Sequence, residues 1–322
     1  MKQPWLFNQI TGDLQLVEKE LLKFIETDYP LLKESSVHLL SARGKRLRPA
    51  FAILAGKLFN CPLERLIPLA MALELIHMAS LVHDDVVDAS VTRRGRPTVK
   101  AEWGNVVSVA TGDYLFAKSL VLISQIDNPE ISRIFAEVSI EMCQGEIQQL
   151  KCSFDTHQTA KQYYYRIKRK TALLISASCR LGGLVSGASR REIWALGAYG
   201  NALGIAFQIV DDILDLTAKS ADIGKPIGGD LRQGIMTLPM ILALQSSPHS
   251  QELELLLAKH DKSEEELWRA VDLIRESGAI EESMRWVDRY VDKAKRHLRE
   301  LPGGPTRSAL DKLAEFVRVR SF

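Results

Sequence analysis

Two aspartate clusters hold most of the chemistry this sequence can do: Asp84-Asp85-Val86-Val87-Asp88 and Asp211-Asp212-Ile213-Leu214-Asp215. On a helix the first and last aspartates of each cluster lie four residues apart and share a face, with the second beside them. Three carboxylates so placed repel one another. They are hard oxygen ligands suited to Mg²⁺, an ion that keeps most of its waters and favours sites shared with phosphate. Cations stand nearby in the chain. Arg93, Arg94 and Arg96 follow the first cluster, and Lys225 follows the second. Lys168, Arg169 and Lys170 precede an apolar run at 172–177, and Gly44-Lys45-Arg46-Leu47-Arg48-Pro49 is a basic loop. Singly, each cation reads as a solvated charge. Beside two metal-ligand clusters they fit a phosphate site, where Arg forks and Lys point charges share the anion with the metal.

Each cluster closes a largely apolar segment, Leu66–Val87 in one case and 193–210 in the other. One DDxxD alone fits a solvated helix end. Two copies, each ending an apolar helix, predict a polar cavity lined by carboxylates from both sides. The punctuation predicts helices throughout. No proline occurs between Pro129 and Pro226, whereas strand-rich folds need a turn about every 8–12 residues. Capping boxes recur at Thr159 with Gln162, Ser189 with Glu192 and Ser263 with Glu266. Asn128-Pro129 puts a capping residue before a first-turn proline. Apolar residues recur at helical spacing in Leu14, Val17, Leu21 and Phe24. No alternating strand pattern and no fixed repeat is present. Loops are expected at 41–49, 89–105, 152–158, 217–236 and 301–306. The reading is an all-α fold, one large domain over residues 1–322.

Composition narrows the partners. The 322 residues carry 42 Lys+Arg against 40 Asp+Glu, a net charge of +2, which argues against nucleic-acid binding by bulk charge. With 46% hydrophobic and 25% charged residues the chain is a folded one, too apolar for disorder. Gln233–Gln251 and Ile193–Val210 carry no charge, which raises the question of a membrane span. The first is broken by Pro239 and Pro248. The second holds three glycines, Asn201 and Gln208 and runs into Asp211, so it reads as a helix buried inside the protein. Cys61, Cys143, Cys152 and Cys179 form no CxxC and read as reduced thiols. Met1–Ile10 lacks the apolar stretch of a signal peptide, so a cytoplasmic location is expected. No strongly basic amphipathic helix is evident, so any membrane contact is expected to be weak and peripheral.

In this order, the motifs resemble those of the trans-type polyprenyl diphosphate synthases. They are Gly44-Lys45-Arg46-Leu47-Arg48-Pro49, Glu74-Leu75-Ile76-His77, His83 through Asp88 with Arg93-Arg94-Gly95, Gly145-Glu146 with Gln149, Lys170-Thr171, Phe207 through Asp215, Gly224-Lys225 and Thr237-Leu238-Pro239. They span roughly residues 40 to 240. The resemblance implies antiparallel helices around a deep central cavity and a Mg²⁺-dependent condensation. An allylic diphosphate loses diphosphate, the double bond of isopentenyl diphosphate attacks the carbocation, a proton leaves, and the cycle repeats. The product would be a long-chain all-trans polyprenyl diphosphate of the kind used for quinone side chains. By the same resemblance Asp84, Asp85, Asp88, Asp211 and Asp215 hold the metals, with Asp212 near them. Arg93, Lys170, Thr171, Gln208 and Lys225 match contacts to the allylic diphosphate. Lys45, Arg48, His77 and Arg94 match contacts to isopentenyl diphosphate, although His77 also fits a satisfied core histidine. The family gates chain length five residues before the first aspartate. Ala79 stands there, about 7.5 Å down the helix at ~1.5 Å per residue, with Ser80 on Asp84's own face; both are small, as in longer-product members, although both also fit close helix packing. The resemblance suggests a homodimer, or a heteromer with a small subunit.

Two positions depart from the family pattern. Ile235 stands where a Lys is common before the Thr-Leu-Pro motif, and Arg43 where a second Gly is common. Other functions fit the sequence less well. His83-Asp84 with His38 and His77 superficially fits a helical metal phosphohydrolase, but that leaves the second DDxxD and the basic loop unexplained. A non-catalytic partner subunit would be expected to have lost carboxylates, and all six are here. A terpene cyclase would not need the intact Gly-Lys-Arg loop.

Overall fold

The structure is a computed structural model that describes residues 9–42, 44–93, 95–217 and 228–319. Its helices are α1 (Thr11–Phe24), α2 (Pro30–Ser41), α3 (Leu47–Lys57), α4 (Leu63–Val87), α5 (Val99–Ser124), α6 (Pro129–Lys151), α7 (Ala160–Ile167), α8 (Leu173–Val185) and α9 (Arg190–Thr217). After them come α10 (Gly229–Arg232), α11 (Leu238–Ser246), α12 (Ser250–Ala258), α13 (Glu264–Glu276), α14 (Ala279–Leu298) and α15 (Pro305–Val319). A π-helical turn, Lys168–Ala172, joins α7 to α8.

The all-α expectation holds among the described residues apart from one small hairpin. Thr92–Arg93 (β1) pairs antiparallel with Arg96–Pro97 (β2) across Gly95, whose φ of 74° is the left-handed value a tight turn requires. Two residues per strand are too few to leave an alternating pattern in sequence. The hairpin and α5 together correct the loop expected at 89–105. Thr98 caps α5, its Oγ1 accepting the Ala101 N–H at 3.1 Å. The misleading signal is Gly104, which interrupts α5 with a φ of 79°. The expected capping boxes at Thr159 and Ser263 form with both reciprocal bonds.

The chain groups into two compact units, each with its own core. The first comprises the described residues of Met1–Ser139, Ala177–Gly197 and Arg299–Leu310. In it α4 packs against α1, α3 and α5, and α5 against α2. Leu66, Leu69, Leu73, Leu75, Ile76 and Val82 bury α4 nearly all round, as expected of a helix without a polar face. A hydrogen bond between the Ser35 and Thr111 hydroxyls, 2.7 Å, joins α2 to α5. The second unit comprises the described residues of Ile140–Ser176, Ala198–Leu298 and Asp311–Phe322. There α11 packs on α7, α12, α13 and α14, and Tyr199, Leu203, Ile209, Ile213 and Leu216 bury α9.

Three helices, α4, α5 and α9, are long and apolar enough to cross a membrane. For α4 and α9, 67% of the apolar window is buried inside the protein, as expected for 193–210; for α5 the share is 39%.

Candidate functional site

In the first unit, α4 carries most of the expected site residues. His77, Ser80, Asp84 and Asp88 recur at helical spacing on one face and are all half-buried, while Met78, Ala79, Val82 and Asp85 between them are buried. Ser80 donates its hydroxyl to the His77 carbonyl, 2.8 Å. Ala79 therefore lies off Asp84's face, inside the packing. Asp85, 2% exposed, does not share the outlook of Asp84 and Asp88. Its Oδ1 accepts from Arg93 Nε at 2.9 Å and lies 2.7 Å from Arg93 Nη2. The hairpin puts Arg93 there, so the cation expected on a substrate diphosphate is ion-paired with the middle aspartate.

The basic loop is pinned from within. Arg46 adopts the left-handed conformation, φ 48° and ψ 40°, and turns its guanidinium inward. Nη1 donates to Glu74 Oε1 at 2.8 Å, Nε to Glu18 Oε1 at 3.0 Å and Nη2 to the Leu40 carbonyl at 2.7 Å. Arg46 and Glu74 are 7% and 3% exposed. Lys45 beside Arg46 is left exposed, and Arg48 is half-buried on the first turn of α3. Glu74 lies one turn before His77, so a single buried ion pair ties the loop of Lys45 and Arg48 to the turn bearing His77. The sequence reading passed over Arg46 and Glu74 as site-builders.

The histidines do not assemble a phosphohydrolase centre. His38 Nε2 is 2.8 Å from the Pro97 carbonyl and its ring meets Trp103 edge-on. His83 Nε2 is 3.3 Å from Asp113 and packs over Gly112, where a Cβ would come within 2.2 Å of it.

In the second unit, the π turn sets Lys170 and Thr171. A Cβ on Gly145 of α6 would lie 2.9 Å from Arg169 Cβ and 3.1 Å from Lys170 N. Only glycine admits the turn at this distance, and Glu146 beside it pairs with Lys170 at 2.7 Å. A Cβ on Gly204 of α9 would come within 2.6 Å of Ala172 Cα. That close approach, one turn before Gln208, lets Thr171 Oγ1 donate to Gln208 Oε1 at 2.7 Å. Gln208 Nε2 donates to Asp212 Oδ1 at 2.8 Å, and Tyr163 Oη donates to Asp212 Oδ2 at 2.6 Å. Asp212 is 4% exposed, with both oxygens turned into the protein. Burial pushes its carboxyl up to about 7, against the pull of the Tyr163 and Gln208 hydrogen bonds and of Arg166. Burial first, and Asp212 second, push the Tyr163 phenol well above its ordinary value. Asp211 is half-buried. Asp215 accepts the N–H groups of Gly229 and Asp230 at 3.1 Å each, capping α10. Ile235 is half-buried and donates its N–H to the Asp230 carbonyl, 2.8 Å. Arg166, buried under the Tyr163 ring, donates to the Met236 carbonyl and, at 2.7 Å, to Gln158 Oε1. Tyr163, Arg166 and Gly204 carried no signal in the sequence reading. Arg43, Arg94 and Lys225 lie outside the described residues.

The donor chemistry fits Mg²⁺. Both aspartate clusters sit at the C-terminal ends of apolar helices, where the helix dipole is negative, and neither last turn carries a basic residue. Like charges and dipole add there, so each end favours a cation, and every donor is a carboxylate oxygen. Among the described residues no three carboxylate, imidazole or thiol groups converge tightly enough to hold an ion by themselves.

Residues 29–274 match the model of the polyprenyl synthetase family. The chain is 42% identical to heptaprenyl diphosphate synthase component 2 of Bacillus subtilis (strain 168), over 100% of this chain and 92% of the relative. It superposes on a decaprenyl diphosphate synthase from Rhodobacter capsulatus with a TM-score of 0.92 at 37% identity, each chain covered in full. A polyprenyl synthase from Caulobacter crescentus CB15, complexed with calcium and isoprenyl diphosphate, gives a TM-score of 0.94 at 35% identity over 98% of this chain and 97% of that one. With a family match over most of its length and relatives aligned nearly end to end, this chain belongs to the polyprenyl synthetase family.

Proposed function

We propose that the protein is a Mg²⁺-dependent trans-polyprenyl diphosphate synthase, which extends an allylic diphosphate with isopentenyl diphosphate to a long all-trans chain and releases diphosphate. The observation that carries the reading is the pair of DDxxD clusters, each at the negative end of an apolar helix, with Arg93 paired to Asp85 in the first and Lys170 next to Thr171, which reaches Asp212 through Gln208, in the second. Bound Mg²⁺ would neutralise the charge that develops on the departing diphosphate. Asp84 and Asp88 would hold Mg²⁺ at the end of α4, and Asp211 and Asp215 at the end of α9, with Asp85 and Asp212 behind them. Arg93, Lys170 and Lys225 bind the allylic diphosphate, with Thr171 and Gln208 beside it. Lys45, Arg48, His77 and Arg94 bind isopentenyl diphosphate. This chemistry needs no covalent nucleophile, since stabilising the leaving anion is the main task. One synthase domain over residues 1–322 and a cytoplasmic location go with this reading. The test is incubation with isopentenyl diphosphate, farnesyl or geranylgeranyl diphosphate and Mg²⁺, followed by chromatography of the dephosphorylated products. Absence of any elongated product would overturn it.

Product length offers a separate test. Ser80 lies one turn below Asp84 on the same half-buried face, so Ser80→Phe is expected to obstruct the growing tail and shorten the product by several isoprene units while primer consumption continues. Ala79→Tyr, entering from the buried side, is expected to act in the same direction. Unchanged products from both variants at normal activity would place the gate elsewhere.

The reading includes a second copy of this chain as partner. On α5, Val106 is 84% exposed, and Val109, Leu120 and Val121 continue its apolar stripe. On α6, Ile140, Cys143, Ile147 and Leu150 form another. A monomer gains nothing by exposing such stripes. Val106→Glu combined with Leu120→Glu is expected to convert a dimer to a monomer in light scattering; a wild-type monomer would remove this part of the reading. The words "component 2" in the Bacillus subtilis relative's name support one other arrangement, a catalytic subunit that turns over only with a small partner subunit. In that case the purified chain bears the substrates and makes product only when the partner is added.

A further inference from the structure

We propose that Phe154 and Gly234 are positioning residues that clasp the segment orienting Asp215, and so set the metal affinity of the second aspartate cluster. The inference rests on the synthase reading above and concerns the second unit alone. Asp215 Oδ1 accepts the Gly229 N–H and Oδ2 the Asp230 N–H. One donor on each oxygen fixes the plane of the carboxylate, as supporting hydrogen bonds do for metal ligands generally. The Gly228 N–H also bonds the Asp215 carbonyl at 2.9 Å, and a Cβ on Gly229 would lie 3.2 Å from Asp215 Oδ1. Asp215 therefore points where residues 228–230 let it. Those residues run on through α10, and the Ile235 N–H returns to the Asp230 carbonyl, so 228–235 moves as a block. Buried Leu231 seats the middle of the block.

The far end of the block is held by the loop at 152–158. Phe154 donates its N–H to the Gly234 carbonyl at 2.8 Å. Its ring lies so close over Gly234 that a Cβ there would come within 2.5 Å of it. Both backbones are left-handed, with φ 63° at Phe154 and 70° at Gly234. Glycine adopts that conformation freely, whereas phenylalanine does so only where its surroundings impose it. Here the ring is stacked on His260, centroids 4.0 Å apart, with Lys262 Nζ 4.9 Å from the ring centroid. A second tie runs beside the first: Arg166 donates to both Gln158 Oε1 and the Met236 carbonyl. The Arg232–Glu264 pair also touches the block, but on partly exposed side chains where an ion pair contributes little. Strain at Phe154 thus holds in register two amides that only Asp215 uses.

The test uses the full chain and two readouts that need no turnover. One is the rise in melting temperature with Mg²⁺ in the presence of inorganic diphosphate. The other is hydrogen exchange at the Gly229 and Asp230 amides. Wild type is measured first; no rise with Mg²⁺ would overturn the metal reading itself, a failure seen before any variant is made. Given the rise, Phe154→Ala is expected to move the Mg²⁺ midpoint about 10-fold higher, the scale of losing a metal ligand's supporting contact. It should also speed exchange at both amides. Phe154→Tyr, which keeps the ring, should restore both values. Gly234→Ala should act like F154A, and F154A carries the test should G234A not fold. In an Asp215→Ala background F154A should move the midpoint less than about twofold, because the ligand it positions is gone. A lower melting temperature in F154A with an unchanged Mg²⁺ midpoint would show packing alone and overturn the proposal. Unchanged exchange at the two amides, or an equal shift of the midpoint in the D215A background, would overturn it as well.

Discussion

Asp84→Ala and Asp211→Ala are each expected to lower turnover about 10³-fold, on the order of 4 kcal/mol of transition-state stabilisation. The reason is placement. Asp84 shares its face of α4 with Asp88, and Asp211 opens the cluster at the end of α9, both where the helix dipole is negative. Taking away one carboxylate weakens the hold on a cation whose charge the departing diphosphate needs. Neither residue is fully buried, so the helical circular dichroism should not change. Chelator should abolish activity and added Mg²⁺ restore it. Full turnover in chelator, or a normal rate from both variants, would show that the clusters do not do this chemistry.

Glu74→Ala should have the largest effect on stability, about 3–5 kcal/mol, because it strands a buried guanidinium. Arg46 would keep only the half-exposed Glu18 and the Leu40 carbonyl. For a chain of this size the melting temperature should fall by on the order of 10 °C. The left-handed backbone of Arg46 is itself unfavourable by roughly 1 kcal/mol and persists only while the side chain is anchored. Arg46→Met with Glu74→Leu should recover most of the stability, since well-packed apolar pairs replace buried ion pairs at little cost. It should not recover the loop's geometry. KM for isopentenyl diphosphate should stay raised, through Lys45 and Arg48, while KM for the allylic substrate stays normal. A Glu74→Ala protein as stable as wild type would refute the anchoring role.

Local patterns were legible from the residues alone. The DDxxD spacing places the outer carboxylates on one face because the helical period makes i and i+4 neighbours. The capping boxes at Thr159 and Ser263 are self-contained within four residues, so they could be read without a fold. The apolar runs before each aspartate cluster announced buried helices, and the order of the motifs announced the family.

What the tertiary structure alone decided are pairings between residues remote in sequence. Arg46 meets Glu74 across 28 positions and Tyr163 meets Asp212 across 49. Nothing in either neighbourhood marks the partner, since buried charge and buried phenol are satisfied by whatever the packing brings near. In the Tyr163-Tyr164-Tyr165 run only Tyr163 is buried, a choice made by α7 packing and invisible in composition. The three aspartates of a cluster look alike in sequence. Packing gives Asp85 to Arg93 and Asp212 to Tyr163 and Gln208, and leaves Asp84, Asp88 and Asp211 half-buried, because a helix face is defined only by what covers it.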